Sequence, residues 1–280
     1  MQERTRSAHI GTRRNNTASI PFRAACAEVL KSVQRWEFWF TLAWADTLSR
    51  YRRTLLGPFW TTLNSTLFVV ILAFVYSLLW RIELKSFLPF VAAGYFTWTF
   101  FSTCVNESCG IFHAHAETLK TVPISPATLL LRVVARNTIN FFHNIVVFAG
   151  IAVVFDQRLW LLPAALPGLA ILAFFCFGTG LALAFLCSRF RDFEQIVSNL
   201  LMVLFFITPI LWQPRLLPPG SGFLADANIV FHLISVVRDP MLGQMPSLMS
   251  YAVALLAAAG AVSLGLVCYA RFRRRLAYWL

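Results

Sequence analysis

Long apolar runs and short polar segments alternate along most of the chain. A helix of roughly 20 apolar residues is long enough to cross the hydrocarbon core of a bilayer. Six runs reach about that length, so we predict an all-α integral membrane protein with six transmembrane helices. The predicted spans cover residues 59–80, 87–109, 133–154, 161–187, 196–212 and 249–270.

The overall composition excludes a soluble globular protein. Apolar residues make up 58% of the chain and charged residues only 13%. A soluble protein of this composition would expose large hydrophobic patches to water, which soluble proteins avoid. A lipid bilayer removes that cost, so the composition supports the prediction made from the pattern.

The distribution of positive charge predicts the orientation of the spans. Of the 24 Lys and Arg residues, 19 fall before the first span, in alternate connections or in the tail. Positive side chains are enriched on the cytosolic side of a membrane, so we predict that both termini lie inside the cell. The same bias, with contacts to anionic lipid, accounts for the net charge of +12, and no nucleic-acid partner is expected.

The segments outside the spans divide the chain further. Residues 1–30 are basic and polar without the apolar stretch of a signal peptide, so we predict a disordered cytosolic arm followed by one transmembrane domain over 31–280. Residues 36–53 are too charged to span and are predicted to form a helix in the cytosolic interface. The Pro- and Gly-rich segment 213–247 is predicted to form an outer re-entrant pair of short helices or a cap.

Little in the sequence predicts a metal site or an enzyme. The six Cys residues are scattered without a CxxC pair, so neither a disulfide framework nor a metal site is expected. His113 and His115 lie beside Glu117, but residues two apart on a helix point to different sides and make a poor chelate. The 12 Asp and Glu residues are dispersed, which argues against membrane-enzyme chemistry.

Three of the predicted spans carry polar side chains on one face. In the third span the opposite face is apolar and includes Phe142 and Val146. Two explanations stay open, namely hydrogen bonds between helices or the wall of a hydrophilic conduit. The polar residues are Thr99, Ser102, Thr103 and Asn106 in the second span, Arg136, Asn137, Asn140, His143 and Asn144 in the third, and Gln195, Ser198 and Asn199 in the fifth.

Aromatic side chains also lie inside the second span. The flat faces of Tyr95, Trp98 and Phe101 would suit a carbohydrate path, because apolar ring faces stack against sugars. The candidate substrate path therefore consists of Tyr95, Trp98, Phe101, Asn106, Asn137, Asn140, Asn144, Ser198 and Asn199.

The sequence contains no GxxxxGK[ST] loop, so this chain is not expected to bind a nucleotide by itself. The glycines of Gly178-Thr-Gly180 predict instead a close contact between helices. If ATP drives the function, a separate subunit must supply the ATPase.

Four motifs follow one another along the chain. They are RYRRTLLGPFW at 50–60, FRD at 190–192, TPILW at 208–212 and RFRRRLAYWL at 271–280. In this order they resemble the ABC-2 type permeases that export polysaccharides such as O-antigen, capsule or teichoic acid. One departure is Asn228-Ile229, where many relatives have Asn-Pro.

The resemblance implies a homodimer in the bacterial inner membrane, with two cytosolic ATPase subunits that carry ATP and Mg²⁺, so that no cofactor binds this chain. It implies a channel lined by spans one, two and five, whereas the polar faces favour two, three and five. The substrate would be a glycan on a polyprenyl pyrophosphate or other lipid. Phosphate or headgroup contacts would come from Arg52, Arg53, Arg189 and Arg191, and coupling to the ATPase from Trp36, Trp39, Trp44, Leu119, Lys120 and Pro123.

Three other functions remain open at this stage. One is an ABC-2 permease for a drug or a lipid, which differs only in cargo. The second is an integral membrane enzyme acting on lipids, which would turn over substrate without an ATPase partner. The third is an assembly factor, for which changes to channel-facing residues would have no effect on cargo.

Overall fold

A computed structural model describes residues 19–50, 59–157, 159–214 and 222–280. Within these ranges the chain forms α-helices, one 3₁₀ turn (Leu159–Ala164) and loops, with no strand. The helices are α1 (Phe22–Gln34), α2 (Trp36–Arg50), α3 (Phe59–Trp80), α4 (Leu84–Ala114), α5 (Ala116–Thr121), α6 (Pro126–Val154), α7 (Ala165–Arg189), α8 (Asp192–Ile207), α9 (Phe223–Asp226), α10 (Ile229–Met241), α11 (Leu248–Phe272) and α12 (Leu276–Trp279).

Five helical stretches in the described part of the chain are long and apolar enough to cross a membrane. Five of the predicted transmembrane helices are therefore confirmed, and most extend a few residues beyond their predicted ends. The five stretches are Thr62–Trp80, Leu84–Ala114, Pro126–Val154, Leu159–Arg189 and Leu248–Phe272.

The predicted span over 196–212 is not a single helix. α8 has 16 residues, and a helix of that length measures roughly 24 Å, short of the ~30 Å hydrocarbon core. It ends at Ile207 because a proline disfavours helical geometry in the residue before it, and Thr208 is accordingly extended (φ −78°, ψ 136°) ahead of Pro209. Hydropathy averaged over a window of residues does not detect this break. A sixth transmembrane span therefore stays a prediction.

The centre of the bundle is formed by α4 and α7, which pack against each other and against most of the other long helices. α7 crosses α11 at two glycines, where a Cβ on Gly265 would lie only 2.5 Å from the carbonyl oxygen of Gly178. A Cβ on Gly180 would lie 2.5 Å from the Ser108 hydroxyl of α4. The close contact between helices that was predicted for Gly178 and Gly180 is therefore confirmed.

We use the name terminal end for the end of the bundle where α1, α5 and α12 lie. The Ser125 hydroxyl, at the start of α6, lies 3.0 Å from the Tyr269 hydroxyl near the end of α11. The Ile20 backbone N–H donates to the Ala270 carbonyl oxygen at 2.9 Å. The loop before α6, the segment before α1 and the end of α11 are therefore joined at this end.

The arm predicted over residues 1–30 is partly wrong. Residues 1–18 lie outside the described residues, but α1 begins at Phe22 and packs on α6 and α11. Ala25, Val29 and Ser32 are buried on its inner side. Their spacing of three and four residues is that of an amphipathic helix, which the surrounding charged residues obscured in the sequence.

At the opposite end, α10 packs across α4, α7 and α11. Asn228 begins it as an N-cap, its Oδ1 accepting from the backbone N–H groups of Val230 and Phe231. Arg238 is buried and donates from Nη1 to the Pro209 carbonyl oxygen at 2.7 Å. Arg238, which lies in the segment predicted to form an outer re-entrant pair or a cap, therefore joins α10 to the segment that follows α8.

Candidate functional site

The polar face of α4 borders two spaces, one shared with α8 and the other with α6. Thr99 and Thr103 line both of them. The space beside α8, which we call the main cleft, has a volume of about 420 Å³. Its lining residues are Phe68, Tyr95, Trp98, Thr99, Ser102, Thr103, Asn106, Ser198, Leu201, Met202 and Phe205.

Aromatic rings from three helices meet in the main cleft. The ring centroid of Phe68 in α3 lies 4.8 Å from that of Tyr95 in α4. Phe205 of α8 lies 6.3 Å from Tyr95 and 5.5 Å from Trp98. These offset contacts give the cleft flat apolar surfaces next to the α4 hydroxyl groups.

The polar side of the main cleft joins α4 to α8. The Ser198 hydroxyl lies 3.0 Å from both the Asn106 Oδ1 and the Glu194 carbonyl oxygen. A hydroxyl has one proton, so it donates to one of these acceptors at a time. The structure thus brings together Tyr95, Trp98, Asn106 and Ser198 of the candidate substrate path.

The space beside α6, which we call the side cavity, has a volume of about 260 Å³. Asn137, Asn140 and Asn144 of α6 are among the residues that line it. The full lining consists of Asn64, Ser65, Thr99, Phe100, Thr103, Asn137, Asn140, Phe141 and Asn144. The polar face predicted for the third span therefore does not line the main cleft but borders a second space.

The facing predicted for α6 is confirmed. The Asn144 side chain is 7% exposed, whereas Val146, predicted for the opposite face, is 70% exposed. His143 bonds within its own helix, with Nδ1 2.9 Å from the Ile139 carbonyl oxygen.

Two candidate path residues lie elsewhere. Phe101 is buried and packs against Trp98 and Phe175, at centroid distances of 5.4 and 6.1 Å. Asn199 lies exposed on α8 and accepts from the Gln195 amide at 3.1 Å. Phe101 therefore belongs to the packing between α4 and α7, and Asn199 points away from the main cleft.

An ionic cluster that the sequence analysis missed ties α2 to the long helices. Asp46 of α2 accepts two hydrogen bonds from the Arg132 guanidinium of α6, one of them from Nε at 2.6 Å. Arg136, one turn along, donates from Nη1 to the same carboxylate at 3.0 Å. Paired, geometrically matched contacts of this kind are the strong form of ion pair.

The cluster continues into α4. Arg136 Nη2 donates to Glu107 Oε2 at 2.6 Å, and the Asn137 amide donates to the same oxygen at 2.8 Å. His115 Nε2 lies 3.2 Å from Arg132 Nη1, so it accepts, while its Nδ1 lies 3.1 Å from the Ile111 carbonyl oxygen and donates. We call Asp46, Glu107, His115, Arg132, Arg136 and Asn137 the anchor cluster.

The charges of the anchor cluster act on Asp46. Burial by itself would raise the pKa of its carboxyl, but the hydrogen bonds and positive charges of Arg132 and Arg136 outweigh that effect. The pKa of Asp46 is therefore lowered, and the carboxylate stays ionised at neutral pH.

The anchor cluster also fixes the direction of α2. Phe38, near its start, lies beside Thr128 at the start of α6, and Asp46 contacts Arg132 and Arg136 further along. α2 therefore runs along α6 in the same direction. The helix predicted over 36–53 is present to Arg50, and its last three residues lie outside the described residues.

The remaining predicted residues lie mostly at the terminal end. Trp36 and Trp44 are exposed on α2, while Trp39 Nε1 lies 3.4 Å from the Val33 carbonyl oxygen. Leu119 and Lys120 belong to the short helix α5. Leu119 packs against buried residues at this end, whereas Lys120 is exposed.

Pro123 lines a further space of about 490 Å³ together with Lys31, Arg35 and Arg273, and we call this space the basic cleft. Its positive side chains make it a surface for acidic groups. Glu28, which also borders it, accepts from Arg273 Nε at 3.2 Å.

Two of the four predicted phosphate contacts can be placed. The Arg189 guanidinium lies 5.2 Å from the ring centroid of Phe190 and 5.5 Å from that of Trp279. Arg191 is exposed at the start of α8. Arg52 and Arg53 lie outside the described residues.

The comparisons with known proteins identify the family. Residues 37–242, more than half of the chain, match the family described as ABC-2 type transporter. The chain belongs to the ABC-2 type transporter family. Its membership confirms the resemblance read from the motifs, and with its multiple apolar helices it is a multi-pass membrane protein.

Similar proteins carry a more specific name. An O-antigen export system permease protein RfbA from Klebsiella pneumoniae is 27% identical over 199 residues, which are 69% of this chain and 76% of that protein. A protein of the same name from Myxococcus xanthus is 28% identical over 173 residues, 61% of this chain and 66% of that protein. ABC-2 permeases are transport subunits, which agrees with the prediction that this chain is not an enzyme.

Proposed function

We propose that this permease is the membrane subunit of an ATP-driven exporter that moves a lipid-linked polysaccharide of O-antigen type across the bacterial inner membrane. The main cleft is the observation that carries the proposal. It combines aromatic faces with hydroxyl and amide groups, and none of the described residues that line it is charged. Such a surface suits sugar rings, and the export permeases to which the chain is similar are named for a polysaccharide.

The main cleft also supports the proposed dimer. It is lined by α3, α4 and α8, the first, second and fifth predicted spans, which are those expected of the channel. Leu67 on α3 and Met202 and Phe206 on α8 are exposed beside it. A second copy packed on these apolar faces would enclose two clefts as one path.

The orientation and the sixth crossing belong to the same proposal. α8 with the segment up to residue 214 would make the fifth crossing, and α9 and α10 the outer re-entrant pair. The terminal end would then face the cytosol, in agreement with the distribution of Lys and Arg. Arg189 and Arg191 at that end would meet the phosphate groups of a lipid carrier.

The anchor cluster supplies a route for coupling. A partner ATPase beneath the terminal end would contact the α2 tryptophans, α5 and the basic cleft. Asp46 holds α2 to α6, and Glu107 extends the same cluster to α4, which lines the main cleft. A movement of α2 would therefore be passed to the helix that forms the wall of the path.

Affinity purification of the tagged chain from its native membranes, in mild detergent and followed by mass spectrometry, tests the transporter class. We expect a stoichiometric ATPase with a phosphate-binding loop. A stable protein without any ATPase would contradict the proposal and favour a membrane enzyme or an assembly factor.

A second experiment tests the cargo. Trp98→Ala removes an aromatic face from the main cleft, and Trp160→Ala removes an exposed tryptophan away from it. In cells that carry only the variant, Trp98→Ala should lower the amount of surface polysaccharide while Trp160→Ala does not. Normal polysaccharide in both, with the ATPase still bound, would point to a drug or lipid cargo.

A further inference from the structure

The side cavity is lined by two asparagine side chains that have no hydrogen-bond partner among the described residues. Asn140 and Asn144 line the cavity, and neither side chain forms a hydrogen bond within the described part of the chain. Asn144 is also more than nine-tenths buried. The buried side-chain atoms without a partner in the described residues belong to His113, Arg136 and Gln213, so the amides of Asn140 and Asn144 stay accessible to a ligand.

The neighbouring Asn137 shows that α6 can satisfy such a group. Its amide donates to Glu107 Oε2 at 2.8 Å and lies 3.0 Å from the Val133 carbonyl oxygen. Asn140 and Asn144 lie on the same face, one and two turns further along, without comparable partners. A ligand or ordered water that enters the cavity can therefore form hydrogen bonds with them.

The lining of the side cavity restricts the chemistry of that ligand. No charged side chain lines it among the described residues, and the nearby Arg136 already binds Asp46 and Glu107. A phosphate or carboxylate would find no counter-charge there, and an apolar ligand would leave the amides unpaired. Amides and hydroxyls both donate and accept, as the hydroxyl groups of a sugar do.

The shape of the cavity fits the same ligand. Phe100 and Phe141 line it with ring centroids 5.8 Å apart, and so provide flat apolar faces beside the polar groups. Its volume of about 260 Å³ is too small for a polymer. That space corresponds to roughly eight or nine water molecules, at ~30 Å³ each, which is room for one ring.

We propose that the side cavity binds a single neutral sugar ring, held by the amides of Asn140 and Asn144. The inference rests on the proposed polysaccharide cargo. Because Thr99 and Thr103 line both spaces, a ring in the side cavity would be a direct neighbour of a chain in the main cleft. The side cavity is then a contact for one sugar unit, separate from the path itself.

Saturation-transfer NMR on the full-length protein in lipid nanodiscs tests the proposal. The probes are D-glucose, D-galactose, D-mannose and N-acetyl-D-glucosamine, each added alone. At least one should receive saturation from the wild-type protein. Asn144→Leu and, separately, Asn140→Leu should weaken its binding about tenfold, the effect of one lost hydrogen bond.

Two controls make the result specific. Asn199→Leu changes an exposed asparagine outside both spaces and should leave the signal unchanged. Trp98→Ala changes the main cleft alone, so a signal lost there but retained in Asn144→Leu would overturn the proposal. The absence of a signal from all four sugars with the wild-type protein would overturn it as well.

Failure of this inference can be told from failure of the proposed function. Suppose that the ATPase co-purifies and Trp98→Ala lowers export, but the binding of no sugar is weakened by the changes at Asn140 and Asn144. Then only the assignment of the side cavity as a sugar site is wrong. If no ATPase co-purifies, the exporter is wrong whatever the NMR shows. Thermal unfolding of each variant confirms that a lost signal is not a lost fold.

Discussion

Two neighbouring stretches of α6 carry polar side chains that differ in their hydrogen bonding. Arg136 and Asn137 have bonded partners on α4, and Arg136 also binds α2. Asn140 and Asn144 follow on the same face and have no hydrogen-bond partner among the residues that the structure describes. The two stretches lie on one helix and share its polar face, so periodicity alone does not distinguish them.

The difference indicates two roles for polar residues in a membrane protein. A bonded group gains stability and holds helices in a fixed arrangement, as the anchor cluster does. An unbonded group beside a cavity is available to something that enters. We therefore interpret the first stretch of α6 as structural and coupling, and the second as binding.

The largest expected effect comes from removing Asp46, the residue of α2 that binds Arg132 and Arg136 of α6. Asp46→Ala leaves Arg132 without a carboxylate and Arg136 with Glu107 alone, in a site where the side chains of Asp46, Arg132 and Arg136 are only 13–18% exposed. We expect a loss of about 3 kcal/mol in the free energy of unfolding, because removing one partner strands the other charges. Tryptophan emission measures this loss during thermal unfolding in detergent, with three of the nine tryptophans on α2.

A matched ion pair provides the control for Asp46. Lys85 and Asp156 lie 3.4 Å apart at the other end of the bundle, with side chains 53% and 84% exposed. Lys85→Ala breaks this pair without changing a residue in the left-handed region, where Asp156 lies (φ 54°), and should change the free energy of unfolding by less than about 0.5 kcal/mol. Similar losses in the two variants would show that the anchor cluster is no stronger than a surface pair.

A smaller loss is expected at Asn137. Asn137→Leu removes its hydrogen bond to Glu107 and leaves that carboxylate with one partner fewer in a partly buried site. We expect a loss of about 2 kcal/mol in the free energy of unfolding, measured by chemical denaturation. An unchanged stability would mean that the hydrogen bond of Asn137 does not stabilise the fold.

The smallest effect concerns pH. Because the pKa of Asp46 is lower in the folded protein, its stabilisation is fully present above the unfolded value of ~3.9 and is lost as pH falls through the folded value. The stability deficit of Asp46→Asn relative to wild type should therefore be constant between about pH 8 and pH 5 and shrink only below about pH 4. A deficit that shrinks already near pH 6 would assign the effect to another group.

The sequence predicted the helical fold and the facing of α6 well, because both depend on local periodicity. It did not predict how the polar residues pair, since Asp46 and Arg132 are 86 residues apart in the chain. A signal was present in the two arginines four residues apart, because ionisable side chains in apolar helices usually have partners. The acidic residues available as partners for these arginines in the adjoining helices were Asp46 and Glu107.

The other differences also come from tertiary contacts. The burial of α1 depends on α6 and α11, and no window over its own residues contains that information. The end of α8 depends on one proline, which hydropathy averages hide. Only the structure separated the main cleft from the side cavity, because both use the same polar face of α4.

The central claim is that the second stretch of α6 is kept for binding at no benefit to stability. The most direct measurement compares Asn144→Leu with wild type for both the free energy of unfolding and surface polysaccharide. We predict an unchanged or slightly higher stability, because the unpaired amide is replaced by an apolar group of similar size, together with reduced polysaccharide. A loss of stability of about 2 kcal/mol, like that expected for Asn137→Leu, or normal polysaccharide would contradict the account.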